Sequence, residues 1–145
     1  MKACTFFGHS DTPAEVERLI HQAARYLIEK EGVTVFYIGT HGAFDRMAYA
    51  VIKEVQMIYP KIKYYRVLSR IPAVKDGSSQ EDTLIPDGIE TVPGRYSIVW
   101  RNRWMLAQSD YVITYVTHSW GGAAKFKKMA ENQKKTVINL SQYMD

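Results

Sequence analysis

Three of the four histidines in this 145-residue chain follow short apolar runs and stand beside glycines: Gly8-His9-Ser10, Gly39-Thr40-His41-Gly42 and Thr117-His118-Ser119-Trp120-Gly121-Gly122. Glycine lets backbone N–H groups approach a ligand. A helix that starts after such a turn adds unpaired donors and partial positive charge. The chemistry this suits is the holding of an anion, with imidazoles to orient it. Asp45 and Arg46 follow the second turn. Arg46 has the fork geometry to pair with a phosphate, and Asp45 can accept from a ribose hydroxyl or stabilise a first helical turn. Arg101 and Asn102 precede the third turn and can reach the same place. No two histidines have close metal-ligand spacing, and no cysteine or carboxylate cluster accompanies them. No metal and no resident cofactor are therefore expected. The dinucleotide fingerprint Gly-x-Gly-x-x-Gly and the P-loop are absent.

These turns need elements to carry them. Residues 2–7 read as a strand, and so do 33–38, 62–68, 111–116 and 136–140. Thr12-Pro13-Ala14-Glu15 has the form of a capping box before a helix whose apolar positions are Val16, Leu19, Ile20, Ala23 and Leu27. Phe44, Met47, Ala48, Val51, Val55 and Ile58 trace a second amphipathic helix, closed by Pro60. A third helix spans 96–109 with poor periodicity, and a fourth spans 123–133. Lys125, Lys127 and Lys128 lie in the first turns of the fourth helix, where cations oppose its dipole and an anionic ligand would offset the cost. The strand at 62–68 is the most polar and is expected toward an edge. Residues 71–95 are rich in proline, glycine and polar side chains and read as one long loop, a possible lid over the site.

Strands alternating with helices predict a single-domain α/β fold. It is a three-layer α/β/α sandwich on a mainly parallel sheet of about five strands. All three glycine turns then leave the carboxyl ends of strands and converge on one edge, where such sheets bind ligands.

Composition narrows the setting. The chain is 46% hydrophobic and 23% charged, ordinary values for a soluble domain. Its lone cysteine, Cys4, allows no internal disulfide and fits a cytoplasmic location. No run resembles a signal peptide or a membrane span, so no membrane partner is expected. The net charge of +4 permits an anionic partner without specifying one. The basic residues are spread out, and a dedicated DNA-reading motif is missing, which disfavours nucleic acid.

Taken together, Phe7-Gly-His-Ser10, Gly39-x-His-Gly-x-Phe-Asp-Arg46, Arg101-Asn-Arg-Trp-Met105 and Ser109-Asp-Tyr-Val-Ile with Thr117-His-Ser-Trp-Gly-Gly-Ala-Ala124 resemble the Smf/DprA–Lonely Guy (SLOG) superfamily. The likeness is to its small bacterial YpsA-like members and covers almost the whole chain. It implies a Rossmann-like fold, a site for a nucleotide-derived small molecule, and a homo-oligomer. An oligomer interface could come from Tyr64 and Tyr65 or from Trp100 and Trp104. The superfamily includes nucleoside monophosphate phosphoribohydrolases, proteins proposed to sense nucleotide-like signals, and single-stranded DNA binders of the DprA type. Its hydrolases carry an Arg-Lys pair and a Pro-Gly-Gly-x-Gly-Thr-x-x-Glu turn. Here Arg101 matches the arginine and Asn102 stands for the lysine. Gly121-Gly122 match the paired glycines, but Ala123-Ala124-Lys125-Phe126-Lys127-Lys128 follow in place of the carboxylate-bearing turn.

Losing that carboxylate should raise the barrier to N-glycoside cleavage by several kcal/mol, on the order of a thousandfold in rate. Asp45, Glu81, Asp82 or Glu90 could replace it if the long loop closes. The catalytic candidates are Asp45, Glu90 and Arg101. The expectation is therefore recognition of a nucleoside monophosphate or ADP-ribose-like ligand by Gly8, His9, Ser10, Gly39, His41, Gly42, Asp45, Arg46, Arg101, Asn102, Thr117, His118, Ser119, Trp120, Gly121 and Gly122. Phosphoribohydrolase activity and DprA-type single-stranded DNA binding are the alternatives.

Overall fold

A computed structural model describes residues 1–72 and 82–144. Six parallel strands form one sheet: β1 (Lys2–Gly8), β2 (Val33–Ile38), β3 (Lys63–Val67), β4 (Thr83–Leu84), β5 (Tyr111–Tyr115) and β6 (Thr136–Asn139). Their order is β4-β3-β2-β1-β5-β6. The chain winds outward from β1 in one direction and, after β4, crosses back to continue in the other. The reversal lies between β1 and β5, the place where doubly wound sheets leave a crevice.

Helices α1 (Glu17–Glu31) and α2 (Ala43–Ile58) cover one face, and α3 (Ser97–Ala107) and α4 (Gly122–Asn132) cover the other. Strand side chains alternate between the two cores. Cys4, Phe6 and Ile113 pack with α1 and α2, while Phe7 and Val112 pack with Met105, Leu106, Phe126 and Ala130. β5 is buried at every position, as its unbroken apolar and aromatic run implies for a strand covered on both faces. The architecture is the expected Rossmann-like α/β/α sandwich.

Several details differ from the sequence expectations. The capping box at Thr12 does not form. The Thr12 hydroxyl donates back to the His9 carbonyl, and a short 3-10 turn, Ala14–Val16, leads into α1. Thr12 thus closes the turn after β1 instead of capping a helix. β3 is not the edge. Residues that read as loop supply β4, with the Arg66 N–H donating to the Asp82 carbonyl at 2.7 Å and the Leu68 N–H to the Leu84 carbonyl at 2.9 Å. Residues 71–95 are accordingly not one structureless loop. Besides β4, their described part holds the 3-10 turns Ile89–Thr91 and Gly94–Tyr96. Residues 73–81, on which a lid would depend, lie outside the described residues, as does Glu81.

The poor periodicity of α3 has a physical cause. Its buried face consists of Ser97, Arg101, Met105 and Leu106, so two polar residues interrupt the apolar stripe. Tyr65 stacks on Tyr37, Trp104 meets the Tyr37 ring edge-on, and Tyr64 meets Tyr49, so these aromatics pack within the chain. No helix among the described residues is long and apolar enough to cross a membrane.

Candidate functional site

A cavity of about 490 Å³ opens at the carboxyl ends of β1 and β5, on the sheet's reversal point. Each wall comes from a different turn: Gly8 to Asp11 after β1, His41 and Asp45 after β2, and His118 and Trp120 to Ala123 after β5. Ile98, Arg101 and Asn102 of α3 complete it.

Of the residues singled out from sequence, Gly8, His9, Ser10, His41, Asp45, Arg101, Asn102, His118, Trp120, Gly121 and Gly122 line this cavity. Gly39, Gly42, Arg46, Thr117 and Ser119 do not. Thr117 and Ser119 line a second depression, with Lys127 and Lys128. Arg46 is exposed on α2, and Glu90 is exposed at a 3-10 turn away from the cavity. Asp82 accepts from the Tyr49 hydroxyl and faces Arg66. Sequence reasoning missed Asp11, Ile98 and Ala123. Asp11 adjoins the first turn and Ala123 the glycine pair, and Ile98 precedes Arg101 and Asn102 at helical i, i+3 and i+4 spacing. That spacing placed all three on one helix face.

Arg101 is only 1% exposed. It donates from Nη1 to the Val67 carbonyl at 2.7 Å and to the Thr40 hydroxyl at 3.0 Å, and from Nε to Asn102 Oδ1 at 2.9 Å. It therefore ties the ends of β2 and β3 to α3. Burial presses its pKa down and the neighbouring Asp45 draws it back, but a guanidinium stays charged.

Asp45 stands in the first turn of α2, where Oδ2 accepts the His41 backbone N–H at 2.9 Å. Desolvation raises its pKa to about 6, opposed by that N–H and by Arg101 and His41. Space around this pair explains Gly39. A Cβ there would lie 2.6 Å from Asp45 Oδ2 and 3.5 Å from the Arg101 guanidinium carbon. Gly8 is likewise required by packing, since its Cβ would sit 2.2 Å from the Phe44 ring.

On the opposite wall three rings stack in sequence. His9 lies on His118 with centroids 3.9 Å apart and 14° between planes, and His118 lies on Trp120 at 3.8 Å and 16°. His9 is buried, whereas Trp120 is 69% exposed. The Thr117 N–H donates to His9 Nε2 at 3.0 Å, and His118 Nδ1–H donates to the Trp120 carbonyl at 3.0 Å. Beyond the stack, α4 begins at the cavity with no side-chain cap on Gly121 and no acidic residue in its first turn. A Cβ at Gly122 would meet nothing within 4 Å among the described residues. The start of α4 thus lines the cavity, and an uncapped helix start is the arrangement that favours an anion. Among the described residues no group of three or more His, Cys, Asp or Glu is placed to hold a metal ion.

No protein-family model matches the chain, and no curated protein matches it by sequence. Among solved structures it is similar to DNA processing protein A (DprA) from Streptococcus pneumoniae, with a TM-score of 0.66 and 15% identity. The match covers 94% of this chain and 49% of that one, so the chain spans about half the length of that protein. At this identity the likeness establishes a shared Rossmann-like, DprA-like fold.

Proposed function

We propose that the cavity between β1 and β5 binds a nucleotide-derived ligand, a nucleoside monophosphate or an ADP-ribose-like molecule. The observation that carries this is the empty space over the uncapped start of α4, lined by Gly121, Gly122 and Ala123. A phosphate there receives the free N–H groups and the positive end of the helix dipole. Arg101 lines the opposite side with its charge fixed in place, and Trp120 offers an exposed indole to a base. Asp45 can accept from ribose hydroxyls. On this reading the protein stands near the YpsA-like branch of its superfamily and recognises a nucleotide in place of cleaving it, because lysines replace the hydrolases' carboxylate after the glycines.

The test is a thermal-shift screen with AMP, ADP-ribose, NAD and inorganic phosphate, followed by product analysis. A ligand at a hundred times its Kd adds about 2.7 kcal/mol of stability, a rise of several degrees. Gly122→Asp should abolish the rise, and the nucleotide should be recovered intact. No shift with any of the four compounds refutes the reading.

One observation favours a second reading. Asp45 places a carboxyl of raised pKa in the cavity, as a general acid requires. Free base released from AMP, and lost in Asp45→Asn, would identify a phosphoribohydrolase. Salt-sensitive retention on single-stranded DNA without any mononucleotide effect would instead identify a DNA binder.

A further inference from the structure

Two bonds join the His9–His118–Trp120 stack to the backbone, and the chemistry of one of them restricts it. The Thr117 N–H donates to His9 Nε2. A ring nitrogen accepts only when it carries no proton, so this bond exists only with neutral His9. The backbone of His9 is itself held: its N–H donates to the Tyr115 carbonyl at 3.3 Å, and its carbonyl accepts from the Thr12 N–H and hydroxyl. The imidazole is therefore a fixed post on β1, and residues 117–120 hang on it through one hydrogen bond and one ring face.

We propose that His9 and His118 form a proton-operated latch that holds residues 117–120, and with them Trp120, against the cavity while His9 is neutral and releases them when it is protonated. Protonated Nε2 would point a hydrogen at the Thr117 N–H, so the bond becomes a repulsion. It would also set a cation 3.9 Å from the His118 ring, inside the stack. Loss of the bond to Thr117 frees the loop from His9.

The groups facing His9 agree with this. His118 covers one ring face, the Tyr115 ring meets it edge-on at 6.2 Å, and Asp11 stands in the same turn. His41, Asp45 and Arg101 line the cavity beyond. Burial and then His118 lower the pKa of His9 below 6.5, while Asp11 draws it up. The folded state thus prefers neutral His9. The stability this confers is complete above about pH 6.5 and is lost as pH falls through the lower folded-state value. This is a regulation of the site proposed above and rests on that reading for its ligand. There, one unit below the midpoint, only about a tenth of the molecules hold the closed site, so affinity falls about tenfold.

The latch is tested on the whole chain without any ligand, so a negative nucleotide screen leaves the result unaffected. Backbone and indole NMR spectra are followed from about pH 8 to about pH 5, the range in which imidazoles titrate. The Thr117 amide and the Trp120 indole should shift with the midpoint of the His9 ring. Hydrogen exchange at Thr117 should speed up in acid, although base-catalysed exchange intrinsically slows there. His9→Gln keeps an accepting oxygen that does not titrate in this range, and should give a flat, protected profile. His118→Phe keeps a ring in the stack without its charge, and should move the His9 midpoint upward. The proposal fails if Thr117 and Trp120 stay still while His9 titrates, or if the same transition persists in His9→Gln. Should the glutamine variant not fold, an unmoved midpoint in His118→Phe overturns it.

Discussion

Gly42 before α2 and Gly121 before α4 have φ of 92° and 93° and ψ of 175° and 172°, and neither helix start is capped by a side chain. This backbone region belongs essentially to glycine. The surroundings then diverge. At Gly42 a Cβ would lie 2.7 Å from the Ser10 Cα, and the next N–H, of Ala43, donates to the Ser10 carbonyl at 2.9 Å. The first turn of α2 also contains Asp45, a carboxylate of the chain's own. At Gly121 the nearest atom to a Cβ is His118 Cε1 at 4.0 Å, and the first turn of α4 has no acid. One helix start is filled by protein and the other is left vacant. The same turn can thus serve packing or recognition, and the neighbours decide which.

The largest test of this contrast is Gly42→Ala. Backbone strain and a collision with backbone atoms act together there, and a loss of about 3–5 kcal/mol is expected, read as a fall in denaturation midpoint. Gly121→Ala carries the same strain without the collision and should lose about 1–3 kcal/mol. Equal losses would show that the two starts do not differ in packing.

Asp45 supplies the next effect. Its folded-state pKa of about 6 exceeds the ordinary 3.8, so the folded protein holds the proton more tightly than the unfolded chain does. Its cost is absent below about pH 3.8, grows between 3.8 and 6, and is constant above. Asp45→Asn keeps an acceptor for the His41 N–H. It should stabilise the protein by about 1–2 kcal/mol at neutral pH, with the gain vanishing in acid. Chemical denaturation at several pH values measures this, and a gain independent of pH would contradict it. A protein that keeps a destabilising carboxyl at a cavity wall fits a functional use for it.

The smallest stability effect is expected at Gly122. Alanine there meets no atom of the described residues and suits a helix, so stability should stay within about 1 kcal/mol and tend upward. Ligand affinity should nevertheless fall about tenfold or more, because the methyl group enters the space assigned to phosphate. Calorimetric titration with the nucleotide that gives the strongest thermal shift separates the two readouts.

Much of this was legible from residue order. Apolar runs alternating with amphipathic stretches imply parallel strands and crossover helices, so the glycine turns had to meet at one sheet edge. The polar, proline-rich segment concealed β4, because a two-residue strand leaves no periodicity and exists only through its pairing with β3. The burial of Arg101 was not legible, since a charged side chain on a helix of poor periodicity does not announce it. Asp11 carried no pattern beyond its place after Gly8-His9-Ser10.

The sequence by itself determined the kind of fold, the edge where the turns converge and most of the residues available there. These follow from local propensity and from connection rules that hold whatever the partners are. Tertiary structure alone decided that Gly8, Gly39 and Gly42 make room for Phe44, Asp45 and Ser10, while Gly122 makes room for none of the described residues. It alone stacked His9, His118 and Trp120, which stand more than a hundred residues apart at their ends. Whether a glycine or a histidine packs or stays available depends on atoms brought near by the fold, and spacing along the chain does not encode those distances.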